Sequence, residues 1–188
     1  MASLPALLSQ AKRPFSRARA LFAATAVSFA ITLVALSSFA ADNQLRKISE
    51  PIVLPQFELQ DIDDKSYKLS DYSGKPLIVI FWASWCPPCL TETPSINRAW
   101  HKIKDEGIGL VAINAGEAED QVIGFSLEYE AEFPLLVDSN NSTYNAWDVR
   151  GLPSAFVFNA HGEVVYQARG EVEWDDEGLL ERVRALRL

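Results

Sequence analysis

An unbroken apolar run, Leu77-Ile78-Val79-Ile80-Phe81-Trp82-Ala83, stops three residues short of Cys86, and Cys86-Pro87-Pro88-Cys89 follows. That run constrains the fold more than any other feature of the chain. Seven consecutive apolar residues leave no polar face, which is the pattern of a strand buried on both sides in the middle of a parallel sheet. Beyond the cysteines, Ile96, Ala99, Trp100 and Ile103 recur at helical spacing, and Gly107 closes the helix. Strand, turn and helix make a βα unit with both cysteines at its turn.

The rest of the chain continues the alternation. Phe57-Glu58-Leu59-Gln60 and Tyr67-Lys68-Leu69 read as the two arms of an N-terminal β-hairpin around the turn residues Asp61 to Ser66. Leu110 to Ile113 is a second buried strand. Val122, Phe125 and Tyr129 mark a helix, Phe133 to Val137 a strand, and Ser142 to Trp147 a short helical piece. Ala155 to Phe158 and Val164 to Tyr166 form a hairpin, and Leu179, Leu180, Val183 and Leu186 line a final amphipathic helix. Strands alternating with helices predict an α/β domain with a central mixed sheet and helices on both faces. The domain is expected over residues 53–188, after a linker at 42–52.

The N-terminus is of another kind. Lys12, Arg13, Arg17 and Arg19 precede an uncharged run from Ala20 to Ala40, and residues 1–40 hold no acid. Bases before an apolar stretch form a secretory signal, and Ser38-Phe39-Ala40 offers small residues for cleavage before Ala41. The run is also long enough to cross a bilayer as a helix, so residues 1–41 are a signal peptide or a single membrane anchor. Either outcome places the domain outside the cytoplasm, in a bacterial periplasm or on the outer side of the inner membrane. Past residue 40 the chain carries 13 bases against 25 acids. So acidic a body argues against nucleic acid as a partner, since phosphates need facing cations.

Cys86 and Cys89 are the only cysteines of the chain. A structural staple gains stability by closing a long loop, and two positions three residues apart close almost nothing. A structural zinc site wants four ligands, and the only histidines, His101 and His161, form no pair with the cysteines. Redox chemistry remains, with no cofactor beyond the Cys86–Cys89 disulfide itself. A Cys at a helix start faces free backbone N–H groups and the positive end of the helix dipole, which favour its thiolate. Pro87 and Pro88 suit a first helical turn, where a missing N–H costs no helix bond. Cys86 is then the nucleophile that forms a mixed disulfide, and Cys89 the resolving thiol that breaks it.

Phe81-Trp82-Ala83-Ser84-Trp85-Cys86-Pro87-Pro88-Cys89 resembles the active-site stretch of the TlpA/ResA group of extracytoplasmic thioredoxin-like proteins. Leu69 to Pro76 resembles the group's lead-in, Val149 to Phe158 its Gly-x-Pro segment, and Gly170 and Trp174 its C-terminal pattern. The resemblance runs from about residue 51 to the end. It implies a thioredoxin-like fold with a central αβ insertion, and protein thiols or disulfides as substrates. It implies a cis-proline at Pro153, exposing the backbone of Leu152 to a substrate strand; Leu is a departure from the polar or β-branched residue of many relatives. It assigns Pro94 to the proline that bends the active-site helix, and Trp82 and Trp85 to the surround of the disulfide. Thioredoxin has a buried Asp six residues before its first active Cys; Ile80 stands there in this chain. ResA-like proteins instead carry a glutamate at the position of Glu92, one turn beyond Cys89 on the same helix face. The resemblance therefore implies proton transfer between Glu92 and Cys89. It further implies a reductant fed by a membrane electron donor, serving apocytochrome c maturation or oxidase metal-site assembly. A disulfide oxidase or isomerase, or a copper- or partner-binding module without turnover, are the competing uses. A peroxidase of the peroxiredoxin type would need Thr at the position of Ala83.

Overall fold

The computed structural model describes residues 45–188; the targeting segment expected at 1–41 lies outside the described residues. A six-stranded sheet carries the fold, in the order β1-β8-β7-β4-β5-β6. Its strands are β1 (Arg46–Ile52), β4 (Leu77–Trp82), β5 (Gly109–Ala115), β6 (Leu135–Asp138), β7 (Ser154–Phe158) and β8 (Val164–Arg169). A separate hairpin pairs β2 (Glu58–Gln60) with β3 (Ser66–Lys68). β4, β5 and β6 run parallel, whereas β7 is antiparallel to β4, β8 to β7 and β1 to β8, so the sheet is mixed.

The apolar run becomes β4, buried at every position. Successive side chains of a strand point to opposite faces. Ile78, Ile80 and Trp82 thus enter one core, and Leu77, Val79 and Phe81 the other. The first core is covered by α1 (Pro87–Ile103), α2 (Glu119–Tyr129) and α4 (Glu177–Arg184), through Ile96, Ala99, Val122, Phe125, Leu180 and Val183. Over the second lie the β2–β3 hairpin, the short α3 (Ser142–Ala146) and the Trp147 segment. Trp147 is the hub there, with ring centroids 5.4–6.0 Å from Phe57, Phe81, Phe156 and Phe158.

One boundary moves. Residues 46–52, expected as linker, are the edge strand β1, paired with β8 through Arg46↔Gln167, Lys47↔Tyr166 and Ile52↔Val164 around an irregularity. The domain therefore begins before residue 53. Only Ile48 of β1 is even half-buried, so no apolar alternation announces the strand. Its main-chain bonds hold it, and Pro51 is tolerated because one side of an edge strand needs no partner.

Candidate active site

β4 delivers the cysteines and α1 fixes them. Past Trp82 the chain turns at Ala83, whose carbonyl accepts the Cys86 N–H at 3.2 Å. Cys86 is the N-cap of α1 in extended conformation, and Pro87 and Pro88 fill the first two helical positions. The Cys86 carbonyl accepts from Cys89 N at 3.0 Å and Leu90 N at 3.2 Å, so the helix starts at the sulfur-bearing residue. The two sulfurs form a disulfide of 2.10 Å, with Cα atoms 5.3 Å apart. Cys86 is 3% exposed and Cys89 2%, so exposure alone does not tell them apart. Their surroundings do. Cys86 sits between Trp85, 67% exposed, and the exposed Pro87, whereas Cys89 lies one turn further along α1, flanked by the half-buried Pro88 and Leu90.

The neighbouring strand brings in the Gly-x-Pro segment. β7 pairs with β4 so that Ser154 faces Phe81, which sets Pro153 at the end of the sheet where β4 turns toward Cys86. The Leu152–Pro153 peptide bond is cis. Gly170 N donates to Pro153 O at 2.9 Å and Ser154 Oγ to Gly151 O at 2.7 Å, pinning the segment from both sides. Leu152 is half-buried and packs against the core that contains both cysteines. Trp82 and Trp85 part company. Trp85 stays on the surface, while Trp82 is buried against the Phe125 ring at 4.0 Å between centroids and offers nothing to a partner. Pro94 lies inside α1, exposed, and the helix runs on through it, so it is not a helix break.

Glu92 is 2% exposed, which rules out an ordinary surface acid. Its Oε2 accepts the backbone N–H of Val172 at 3.0 Å. Burial pushes the carboxyl up to about 8; the Val172 N–H and the Trp174 side chain pull it down, and the charge of Glu171 adds to the rise. The group is therefore mostly neutral at pH 7, beside an oxidised cysteine pair.

A second buried carboxylate, Glu117, escaped the sequence reading. It accepts Ser84 N at 2.7 Å and Asn114 Nδ2 at 2.6 Å, and it also accepts the Ser84 hydroxyl. Its own N–H donates to Asn114 Oδ1 at 3.2 Å. The end of β5 is thereby tied to the turn that carries Cys86. The available signal was Asn114, a polar residue closing an apolar strand, but nothing in the sequence couples it to Ser84. The histidines stand apart: His101 pairs with Glu132 at 3.0 Å, about 18 Å along α1 from Cys89, and His161 lies in the β7–β8 turn.

Comparison with known proteins agrees with this fold. The model of the AhpC/TSA family matches residues 53–167. The thiol-disulfide oxidoreductase ResA of Halalkalibacterium halodurans is 33% identical over 139 residues, 74% of this chain and 78% of its own. ResA of Bacillus subtilis is 37% identical over 123 residues, 65% of this chain and 69% of its own. Among solved structures, a Chlorobium tepidum protein assigned as a thiol:disulfide interchange protein DsbE superposes with a TM-score of 0.66 at 31% identity, covering 76% of this chain and 99% of its own.

Proposed function

The chain belongs to the AhpC/TSA family as a ResA/TlpA-like thiol–disulfide oxidoreductase of thioredoxin-like fold, and on that premise we propose that it acts outside the cytoplasm as a protein-disulfide reductant. Cys86 is its nucleophile, Cys89 its resolving thiol and Glu92 its proton carrier. The observation that carries this reading is a disulfide at the start of α1 with a neutral, buried carboxyl one turn further along.

In the reduced protein the Cys86 thiolate attacks a substrate disulfide, forms a mixed disulfide and expels one substrate thiolate. Cys89 then gives its proton to the Glu92 carboxylate, which the preceding reduction left ionised, and attacks the Cys86 sulfur, which expels the second substrate thiolate. Two electrons have passed to the substrate, and the protein is left oxidised with Glu92 protonated. Reduction by a donor dithiol runs the steps backwards, with Glu92 returning its proton to the departing Cys89 sulfur. A carboxyl near 8 is close to the ordinary thiol value of about 8.5, so the proton moves either way at little cost. Leu152 and Trp85 frame the approach to Cys86 and serve as the docking surface for the partner chain.

The targets that the ResA-like character suggests are apocytochrome c thiols before haem attachment, or proteins that load metal into oxidases. An exported reductant has no soluble thiol pool to draw on, so a membrane carrier supplies its electrons. The basic, apolar N-terminus supports export. A peroxidase reading lacks a hydroxyl at residue 83: Ala83 is there, fully buried.

Trapping tests the assignment of roles. Cys89→Ala is expected to accumulate mixed disulfides with its partners, and Cys86→Ala to accumulate none; equal trapping by both variants overturns the roles. The captured protein names the pathway. Glu92→Gln is expected to slow release of the mixed disulfide, and unchanged release between about pH 5 and 9 contradicts its part in proton transfer.

A further inference from the structure

Among the described residues, three buried side-chain polar atoms have no hydrogen-bond partner: Trp82 Nε1, Glu92 Oε1 and Trp174 Nε1. Unpaired polar atoms in a native interior are rare and call for a reason. Two of these three share one spot. The Trp174 side chain lies close enough to the Glu92 carboxyl to favour its charged form, yet its N–H makes no hydrogen bond to Oε1. This is proximity without a hydrogen bond, between a donor and an acceptor that each lack any other partner.

The indole is not there by loose packing. Residues 172–175 run as a strap along α1 and are held at four successive turns of it. Val172 N donates to Glu92, and Trp174 N donates to Ser95 Oγ at 3.1 Å. Arg98 reaches Glu173 at 2.6 Å and Asp175 at 2.6 Å, on either side of Trp174, and Lys102 Nζ donates to Asp175 O at 2.7 Å. Trp174 itself is 0% exposed. The strap thus fixes both donors that address Glu92, one from the backbone and one from a side chain.

We propose that the indole N–H of Trp174 closes on Glu92 Oε1 whenever this carboxyl gives up its proton, which makes Trp174 a positioning residue for the proton transfer that resolves the mixed disulfide. The chemistry of the two oxygens supports it. Oε2 already accepts Val172 N–H, so the proton of the neutral acid belongs on Oε1. An Oε1–H group has no use for a second donor, and the indole contact stays open. Once the proton passes to the departing Cys89 sulfur, Oε1 is an anionic acceptor and the indole is its waiting donor. When Cys89 returns the proton, the bond opens again. The indole proton itself never transfers. Two other titratable groups bear on this carboxyl: Glu171, the residue before the strap, whose charge opposes ionisation, and Cys89 on the same face of α1. Glu173 and Asp175 are spent on Arg98.

The proposal rests on the proton-transfer role given to Glu92, and its test separates the two. The oxidised protein, labelled with carboxyl-13C glutamate and indole-15N tryptophan, is titrated between about pH 6 and 10. Glu92 is expected to titrate near 8, and the Trp174 Nε1–H resonance to move with the same midpoint. In Glu92→Gln that resonance stays flat. In Trp174→Phe the carboxyl midpoint rises by about one unit, a tenfold loss of carboxylate at a given pH. A Trp174 resonance that ignores the Glu92 titration, or a Trp174→Phe midpoint equal to that of the unaltered protein, overturns the proposal. Should Trp174→Phe not fold, the resonance in the unaltered protein and in Glu92→Gln still decides. Loss of the Glu92 role would show instead as unchanged mixed-disulfide release in Glu92→Gln, a kinetic result independent of either titration.

Discussion

A buried glutamate costs a fold something that a glutamine at the same place does not. Glu92 titrates near its ordinary value of 4.5 in the unfolded chain and near 8 in the folded one. Below about pH 4.5 both states hold the proton and nothing is lost. Between the two values the folded state binds more protons, so stability falls as pH rises, and above about 8 it falls no further. At about 1.4 kcal/mol per unit, the whole penalty has an upper bound of about 5 kcal/mol. Denaturant melts of the oxidised protein are therefore expected to show Glu92→Gln gaining on the unaltered protein steadily from pH 5 to 8; parallel stability curves would contradict a buried, proton-holding acid. At this scale the site was partly legible. Cys86, Cys89 and Glu92 lie on one helix, and helical spacing alone places them together. Trp174 and Val172 reach Glu92 only through the fold, some 80 residues further along, and no local pattern announces them.

At the scale of elements, α1 and the turn before it set the chemistry. Pro87 and Pro88 occupy positions where the helix needs no N–H, and that much is readable from sequence. The brace on the turn is not. Glu117 gathers Ser84 and Asn114 from two strands' ends, so its role follows from the parallel pairing of β4 with β5 rather than from any spacing. Glu117→Ala leaves the half-buried Ser84 N–H and the buried Asn114 amide without their acceptor. Charged hydrogen bonds of this kind carry roughly 1.5–3 kcal/mol each, with strong overlap within one network. The variant is expected to lose about 3 kcal/mol in urea unfolding and to exchange disulfides more slowly; wild-type values of both would show the brace to be idle. The edge strand β1 escaped the sequence reading for a similar reason. Its side chains are exposed, and backbone bonds to β8 leave no trace in apolar periodicity.

Across the whole molecule, the βα order and the buried central strand were written in the hydrophobic pattern, because burial on both faces admits few residue types. What the pattern could not supply was the strand order, which brings β7 beside β4 and with it Pro153 to the end where the cysteines lie. That order also separates function from the edge. β1 lies three strands from β4, so a chain begun at Val53 is expected to lose about 2 kcal/mol, mainly the burial of Leu45, and to keep its exchange rate. A rate that falls with the strand would mean that the edge supports the site. Exchange by this protein depends on Cys86 being the sulfur that partners meet, held at the start of a helix that favours its thiolate. Alkylation of the reduced protein across pH, followed cysteine by cysteine with mass spectrometry, reads that directly. The expected result is modification of Cys86 first, with a midpoint well below the free-thiol value of about 8.5, and slow modification of Cys89. Faster labelling of Cys89, or a Cys86 that reacts only as an ordinary thiol does, would contradict it.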